Sequence, residues 1–548
     1  ELNKEQFEAV TTLNGPVLII AGAGSGKTRV ITYRIAHMLE SGIPQSQILA
    51  LTFTNKAAKE MEERVKALTG KKLQNLTVST FHAFGVKILR QDIDKLGWRE
   101  NFSIYDETDR TALIKECGRE LQFSPDAMDI YKISQLFSNI KTGRKNWQGE
   151  NDMYRQLYES YQEGLKLFNA VDFDDLIVLP IKLFREHPEV LVRYRERYKY
   201  IMVDEFQDTS HQQYELMHLL ADQNVAVVGD DDQSIYSWRG ADYQNIINFE
   251  KDFKVTEIRL EQNYRSTGTI LDAANGVISH NTNRKDKKLW SGKGEGKPIE
   301  IFMPQNETEE ASFIAESIQG IAMEDRRKYD EFGVLIRANT QSRFIEEAFL
   351  ENNIPYTMSG GTSFFERKEI KDVISYFRLA VNPNDEEAFK RVLNYPARGI
   401  GDTTLNKLID AANQNNVSLW KVLSEPLAFG LSINKGTHAK LQGFRELIEG
   451  FIQNAHEKDA YELGGLIVRQ SGIMNEIYQD RTPENLSRQE NIEELINGMH
   501  DFCATRQEEG NEHVMLTDYL SEVSLLTDQD SDKEGDAEKI TLMTIHSA

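Results

Sequence analysis

Cysteine is nearly absent: Cys117 and Cys503 are the only two in 548 residues. That excludes a disulfide framework and a cysteine-built zinc site, and it fits a reducing cytoplasm. Long hydrophobic runs are missing as well. The longest, such as Val17 to Ala21 and Val225 to Val228, have strand length, far below the roughly 20 residues of a membrane span, so no membrane partner is expected. No charged-then-apolar leader stands at the front, and the first residue is Glu1 rather than Met, which reads as a trimmed chain without a targeting segment. Positive charge is in deficit, with 64 Lys and Arg against 87 Asp and Glu and a net charge of -23. Nucleic-acid affinity rests largely on neutralising phosphates, so nonspecific duplex binding should be weak. A narrow groove that grips a strand by base stacking stays compatible with this surplus. What the chain does have is apolar material, 40% of its residues, enough for cores in the roughly three to five domains its length suggests.

The apolar run Val17-Leu18-Ile19-Ile20 leads into Ala21-Gly22-Ala23-Gly24-Ser25-Gly26-Lys27-Thr28 and then Arg29-Val30-Ile31. A buried strand followed by a loop nearly bare of side chains and a helix start is the pattern of a P-loop, here with Ala21 at the position usually held by Gly. Backbone amides and the helix N-terminus would hold phosphate oxygens, Lys27 would meet the β- and γ-phosphates, and the Thr28 hydroxyl would ligate Mg2+. ATP with Mg2+ is the expected ligand.

Two further strands end in chemistry of the same kind. Tyr200-Ile201-Met202-Val203 runs into Asp204-Glu205, the first carboxylate suited to hold Mg2+ and the second to polarise an attacking water. Val225 to Val228 runs through Gly229 and Asp230-Asp231-Asp232 to Gln233, placed to touch the γ-phosphate or that water. Tyr236, Trp238 and Arg239 follow within a few residues. Aromatic rings stack on any base, at about 1–3 kcal/mol each, without reading sequence.

Together these segments resemble those of superfamily 1 DNA helicases of the Rep/UvrD/PcrA group, and the resemblance extends over essentially the whole chain. Leu2-Asn3-Lys4-Glu5-Gln6 resembles the adenine-recognising segment, with Gln6 as its reader. Thr52-Phe53-Thr54-Asn55-Lys56 and Ser79-Thr80-Phe81-His82 resemble DNA-contacting strand ends, offering Phe53, Thr54, Asn55 and His82. In Leu260-Glu261-Gln262-Asn263-Tyr264-Arg265-Ser266 the family pattern puts Tyr264 on the adenine and Arg265 on the γ-phosphate. Leu542-Met543-Thr544-Ile545-His546-Ser547-Ala548 resembles the segment that couples DNA to ATP, with His546 on the DNA side. The resemblance implies Lys27, Glu205, Gln233 and Arg265 as catalytic residues and Thr28 and Asp204 as metal ligands. It implies a nucleotide site of Gln6, Ala21, Gly22, Ala23, Gly24, Ser25, Gly26, Lys27, Thr28, Arg29, Tyr264 and Arg265. It further implies ATP-driven 3′ to 5′ movement on single-stranded DNA and unwinding at single-strand/duplex junctions, in the cytoplasm, alongside repair or replication proteins. The family pattern continues beyond His-Ser-Ala, so the second lobe is expected to be incomplete at its C-terminus. An ATP-gated nucleic-acid binder that does not unwind, and the helicase subunit of a recombination nuclease, are the alternative readings.

The expected fold class is α/β, with two RecA-like P-loop motor lobes, each interrupted by a mainly helical inserted domain. Strand-then-helix periodicity assigns 1–83 and 200–261 to the first lobe, around an insertion at 84–199. The second lobe takes 262–365 and 538–548, with Phe332 to Arg337 as a central strand, around an insertion at 366–537. Arg337 and Asn339 at that strand's end resemble DNA-backbone contacts. In the second insertion the turn Gly399-Ile400-Gly401 opens a helix and can present amides to a duplex phosphate. The acidic run Asp528 to Glu538 reads as a loop returning to the second lobe.

Overall fold

The computed structural model describes residues 1–237, 240–338, 341–358, 364–526 and 538–547. In chain order its strands are β1 (Val17–Ala21), β2 (Ile48–Thr52), β3 (Thr77–Thr80), β4 (Ser103–Tyr105), β5 (Ala170–Asp172), β6 (Tyr200–Val203), β7 (Asn224–Gly229), β8 (Thr256–Leu260), β9 (Gln262–Asn263), β10 (Trp290–Ser291), β11 (Gly333–Ile336), β12 (Tyr356–Met358) and β13 (Ile540–Thr544). The main sheet has the order β3-β2-β6-β7-β1-β8, and each of its pairings is parallel.

Parallel sheets are covered on both faces, which is why β1 and β2 are apolar and buried at nearly every position. Their side chains alternate between two cores. Leu18, Ile20, Leu49, Leu51, Val203 and Val227 enter one, while Val17, Ile19, Ile48, Ala50, Met202 and Val228 enter the other. Because β6, β7 and β1 are neighbours, the segments leaving their C-terminal ends emerge side by side. Open α/β sheets bind ligands at such an edge.

The first core also takes in Phe84, Leu89, Phe102, Val171, Leu176, Phe184, Tyr194 and Tyr198. Helices Phe81–Asp92 and Asp175–Glu186 cross so closely that a Cβ on Gly85 would lie 1.8 Å from the Leu176 carbonyl oxygen. Between them a separate core, from Tyr105 to Ala170, is built mainly of helices around the short parallel pair β4 and β5. Packing therefore cuts the chain inside the 84–199 stretch that periodicity marks as inserted. Helices lying on a sheet have the same 3.6-residue period as helices of an insertion, so periodicity does not separate them.

A smaller parallel sheet has the order β11-β13-β12. The expectation of a central strand at Phe332 to Arg337 is corrected here: β11 lies at an edge, with Gly333 and Leu335 exposed, and β13 is central among the described strands. Strand order depends on a segment some 200 residues away, which local pattern does not register. Residues 368–524 form a helical unit with its own core, from Ile370 to Tyr519. Arg378, paired within the unit to Asp385 at 2.9 Å, reaches across to Asp109 of helix Glu107–Glu120 at 3.2 Å. Among the described residues no helix is long and apolar enough to cross a membrane. The run 528–537 lies outside the described residues.

Candidate functional site

The loop after β1 is held from two sides by neutral groups. On one side the β8–β9 connection runs across it: the Gly22 N–H donates to the Leu260 carbonyl at 2.9 Å and the Tyr264 N–H to the Gly24 carbonyl at 2.8 Å. Asn263 Nδ2 donates to the Ala23 carbonyl at 2.5 Å. Gly24, at φ +64°, has no room for a side chain, since a Cβ there would sit 2.5 Å from Asn263 Nδ2. On the other side Gln6 Nε2 donates to the Ser25 carbonyl at 2.9 Å. Gln6 is itself fixed by a capping box with Asn3 at the start of helix Lys4–Thr11, and Asn3 Nδ2 donates to the Tyr264 hydroxyl at 2.7 Å. Gly26, at φ +81°, caps helix Lys27–Glu40. The structure thus brings Gln6, Ala21 to Arg29, Tyr264 and Arg265 to one place. Tyr264 and Arg265 are exposed there, and the Arg29 guanidinium lies over the Tyr33 ring.

The carboxylates sit across the loop. Lys27 Nζ pairs with Glu205 Oε1 and lies 4.0 Å from Asp204 Oδ1. Burial works against the Lys27 ammonium, but Asp204 and Glu205 outweigh it and hold its pKa above the ordinary value. Burial pushes the Asp204 carboxyl up to about 6 despite Lys27, and pushes Asp208 up to about 7 with help from Glu205. Glu205, at φ +49°, turns sharply off β6. Gln207 Nε2 donates to Glu205 Oε2 at 2.7 Å, and Gln207 Oε1 accepts the Asp230 N–H at 3.0 Å. Gln233 Nε2 donates to Asp230 Oδ2 at 2.7 Å and approaches the Ala21 carbonyl at 3.4 Å. The ends of β1, β6 and β7 are therefore joined through side chains.

The residues present fit a nucleotide phosphate chain with a divalent cation. The Ser25 hydroxyl is buried inside the loop, with no hydrogen-bond partner among the described residues. Lys27 supplies a cation where phosphates would lie, and the buried Asp204 is a carboxylate whose charge a metal would stabilise.

Residues 2–254 match the family model for the UvrD/REP helicase N-terminal domain, and residues 258–548 match that for the UvrD-like helicase C-terminal domain. The chain belongs to the UvrD/REP helicase family. It is 43% identical to the ATP-dependent DNA helicase PcrA of Leuconostoc citreum over 561 aligned residues, spanning all of this chain and 75% of the relative. To the PcrA helicases of Staphylococcus aureus and Staphylococcus epidermidis it is 43% identical, again over its whole length and 76% of theirs.

Several positions that the UvrD/REP resemblance assigns to DNA are engaged with protein here. Thr54 caps helix Asn55–Thr69 by accepting from the Ala57 N–H at 3.0 Å. Asn55 Nδ2 donates to the Leu525 carbonyl, directly after helix Leu516–Ser524, at 3.0 Å. Phe53 is half-buried, its ring 5.6 Å from that of Phe81. His82 stacks at 4.0 Å on the exposed Phe173, and burial pulls its pKa down to about 4. Tyr236 and His546 meet, ring centroids 5.5 Å apart. Arg337 is exposed beyond β11. Gly399 lies at φ +74° and Gly401 caps helix Asp402–Asn415, and Lys440 Nζ approaches the Gly399 carbonyl at 3.5 Å. Trp238, Arg239 and Asn339 lie outside the described residues.

Sequence reasoning missed the partners that orient these groups: Asn3, Asn263, Gln207, Asp230 and Lys287. Asn3, Asp230 and Asn263 stand inside the segments that carry the site residues, and Gln207 follows Glu205 by two positions. Lys287 belongs to the charged run Arg284-Lys285-Asp286-Lys287-Lys288, which carries no local sign of its partners.

Proposed function

We propose that the protein is an ATP-dependent DNA helicase or translocase that moves 3′ to 5′ along single-stranded DNA and opens duplex at junctions, acting in the cytoplasm in repair or replication. The observation that carries this reading is the convergence of Lys27, Glu205 and Gln233 at the ends of three adjacent parallel strands, with Tyr264 and Arg265 laid against the same loop.

ATP enters between the two strand systems, which act as motor lobes. Gln6, Asn3 and Tyr264 take the base side and Lys27 the terminal phosphates. Thr28 and Asp204 would hold Mg2+, whose chemistry is to neutralise charge on the β- and γ-oxygens. When nucleotide draws Lys27 away from Glu205, the freed carboxylate orients and deprotonates the attacking water. Gln233 holds that water or the γ-phosphate, and Arg265 stabilises the charge that develops as the phosphoryl group departs. Arg265 reaches the phosphate only when the lobes close, so turnover alternates closed and open states. A strand held by Phe53, His82, Tyr236, Trp238, Arg239, Arg337, Asn339 and His546 is thereby moved, while Gly399 and Gly401 contact duplex phosphates.

The test is ATP turnover by the full-length protein with and without single-stranded DNA. Stimulation by the strand, lost in Glu205→Gln, supports the reading; turnover indifferent to both contradicts it.

A further inference from the structure

The end of β7 carries three consecutive carboxylates, Asp230, Asp231 and Asp232, with oxygens within 4.8 Å of one another. So close a set repels itself strongly unless a cation sits among them. The cation comes from the chain. Lys287 has a side chain only 2% exposed, and its ammonium pairs with Asp230 Oδ1, with Asp232 Oδ2 at 2.7 Å and with Asp231 Oδ1 at 3.3 Å. Arg284 forks onto Asp232, Nε to Oδ1 at 2.8 Å and Nη2 to Oδ2 at 2.6 Å. The Lys285 N–H donates to Asp231 Oδ2 at 2.6 Å.

These residues belong to a strap, 284–291, that leads into β10. The same strap covers the phosphate loop: a Cβ on Gly22 would fall 2.3 Å from Leu289 Cδ2. It therefore touches both the end of β7 and the loop after β1, the side of the main sheet on which the nucleotide phosphates are proposed to lie. Asp230 is the member that reaches the chemistry. Its Oδ1 takes Lys287 and its Oδ2 accepts from Gln233 Nε2 at 2.7 Å, so the direction of the Gln233 amide depends on an ionised Asp230 held in one orientation. Burial pushes the Asp230 carboxyl up while Lys287 pulls it down, leaving it raised on balance. Without Lys287 the Asp230 carboxylate would lose the partner on Oδ1 that fixes its orientation toward the amide.

We propose that Lys287 is a positioning residue for ATP hydrolysis, acting through Asp230 to aim Gln233. This rests on the hydrolytic reading given above. Lys287 touches no phosphate in this role; it supplies the countercharge that keeps the acidic turn folded around Gln233.

The experiment is a double-mutant cycle in the full-length protein, with Lys287→Met, Gln233→Ala and their combination, and with Lys287→Arg as the charge-preserving variant. Lys287→Met is expected to lower kcat about 100-fold, the scale of losing one positioned donor, with the ATP KM nearly unchanged. It should add little to the loss already caused by Gln233→Ala, and Lys287→Arg should recover much of the rate. Losses that multiply in the double variant, or an arginine variant no better than methionine, would overturn the proposal. If Lys287→Met does not fold, Lys287→Arg in the Gln233→Ala background decides: a further fall in kcat there overturns it and no further fall supports it. A parent without ATP turnover would defeat the hydrolytic reading itself, a result distinct from a multiplicative cycle in an active parent.

Discussion

The hydroxyl of Tyr236 donates to the backbone carbonyl of His546 at 2.6 Å, across 310 residues of sequence. His546 returns the contact, its Nε2 lying 3.1 Å from the Ile235 carbonyl. Tyr236 follows β7 and the nucleotide-side Gln233, whereas His546 follows β13 of the smaller sheet, so the pair joins the two strand systems beside the proposed DNA path. A neutral hydrogen bond contributes about 0.5–1.5 kcal/mol. Tyr236→Phe, which keeps the ring, should therefore lower DNA-stimulated ATP turnover by up to about tenfold while leaving the Kd for nucleotide unchanged. Stimulation equal to the parent would remove this contact from the coupling.

Lys27 pairs with Glu205 now and with phosphate in the proposed complex. Charge-assisted hydrogen bonds are worth about 1.5–3 kcal/mol, so Lys27→Ala should weaken Mg-ATP binding roughly 10- to 100-fold by calorimetry and abolish turnover. Equal affinity in variant and parent would refute this role.

In the first helical unit, Lys141 Nζ lies 2.6 Å from Asp172 Oδ2 and 3.2 Å from Asp175 Oδ1, with the lysine 2% exposed and Asp172 fully buried. Burial and Asp172 push Asp175 up to about 7 even with Lys141 present. Removing one member of a buried pair strands the other, at about 3–5 kcal/mol. Lys141→Met should lose stability on that scale in urea unfolding, and a loss below about 1 kcal/mol would contradict the assignment.

The phosphate loop, the Asp204-Glu205 pair and Gln233 were legible because each sits within a few residues of an apolar strand end. Local pattern suffices for that geometry. The α/β character was legible because strand-then-helix units recur along the chain. Long-range facts were not. Nothing near Asp230 in sequence announces Lys287, and a charged run gives the same pattern whether solvated or folded onto carboxylates. Thr54 and Asn55 stand in a segment that resembles a family DNA motif, yet Thr54 caps the next helix locally and Asn55 bonds a carbonyl 470 residues away, which local pattern does not register. Local pattern does not separate the helices within 84–199, because residues from Phe84 to Phe102 and from Val171 to Tyr198 join the sheet's core with the same helical period as those between them.

Glu386, buried beside Glu387, Lys390 and Glu116, has its pKa pushed from 4.5 to about 8, chiefly by burial. In the folded chain it holds a proton that the unfolded chain releases near 4.5, so its contribution to stability is full below pH 4.5 and is lost as pH rises through 8. Glu386→Gln should match the parent in melting temperature near pH 5 and exceed it at pH 8.5. A gain independent of pH would contradict the buried, protonated carboxyl.

Strand displacement by the full-length protein on one duplex carrying either a 3′ or a 5′ single-stranded tail, with ATP and Mg2+, tests the central claim most directly. The account predicts unwinding of the 3′-tailed duplex only, requiring ATP. Glu205→Gln should bind ATP and unwind neither duplex, with single-turnover hydrolysis at least about 100-fold slower, as expected for a lost general base. ATP turnover without strand displacement, displacement from the 5′ tail, or an active Glu205→Gln would contradict it.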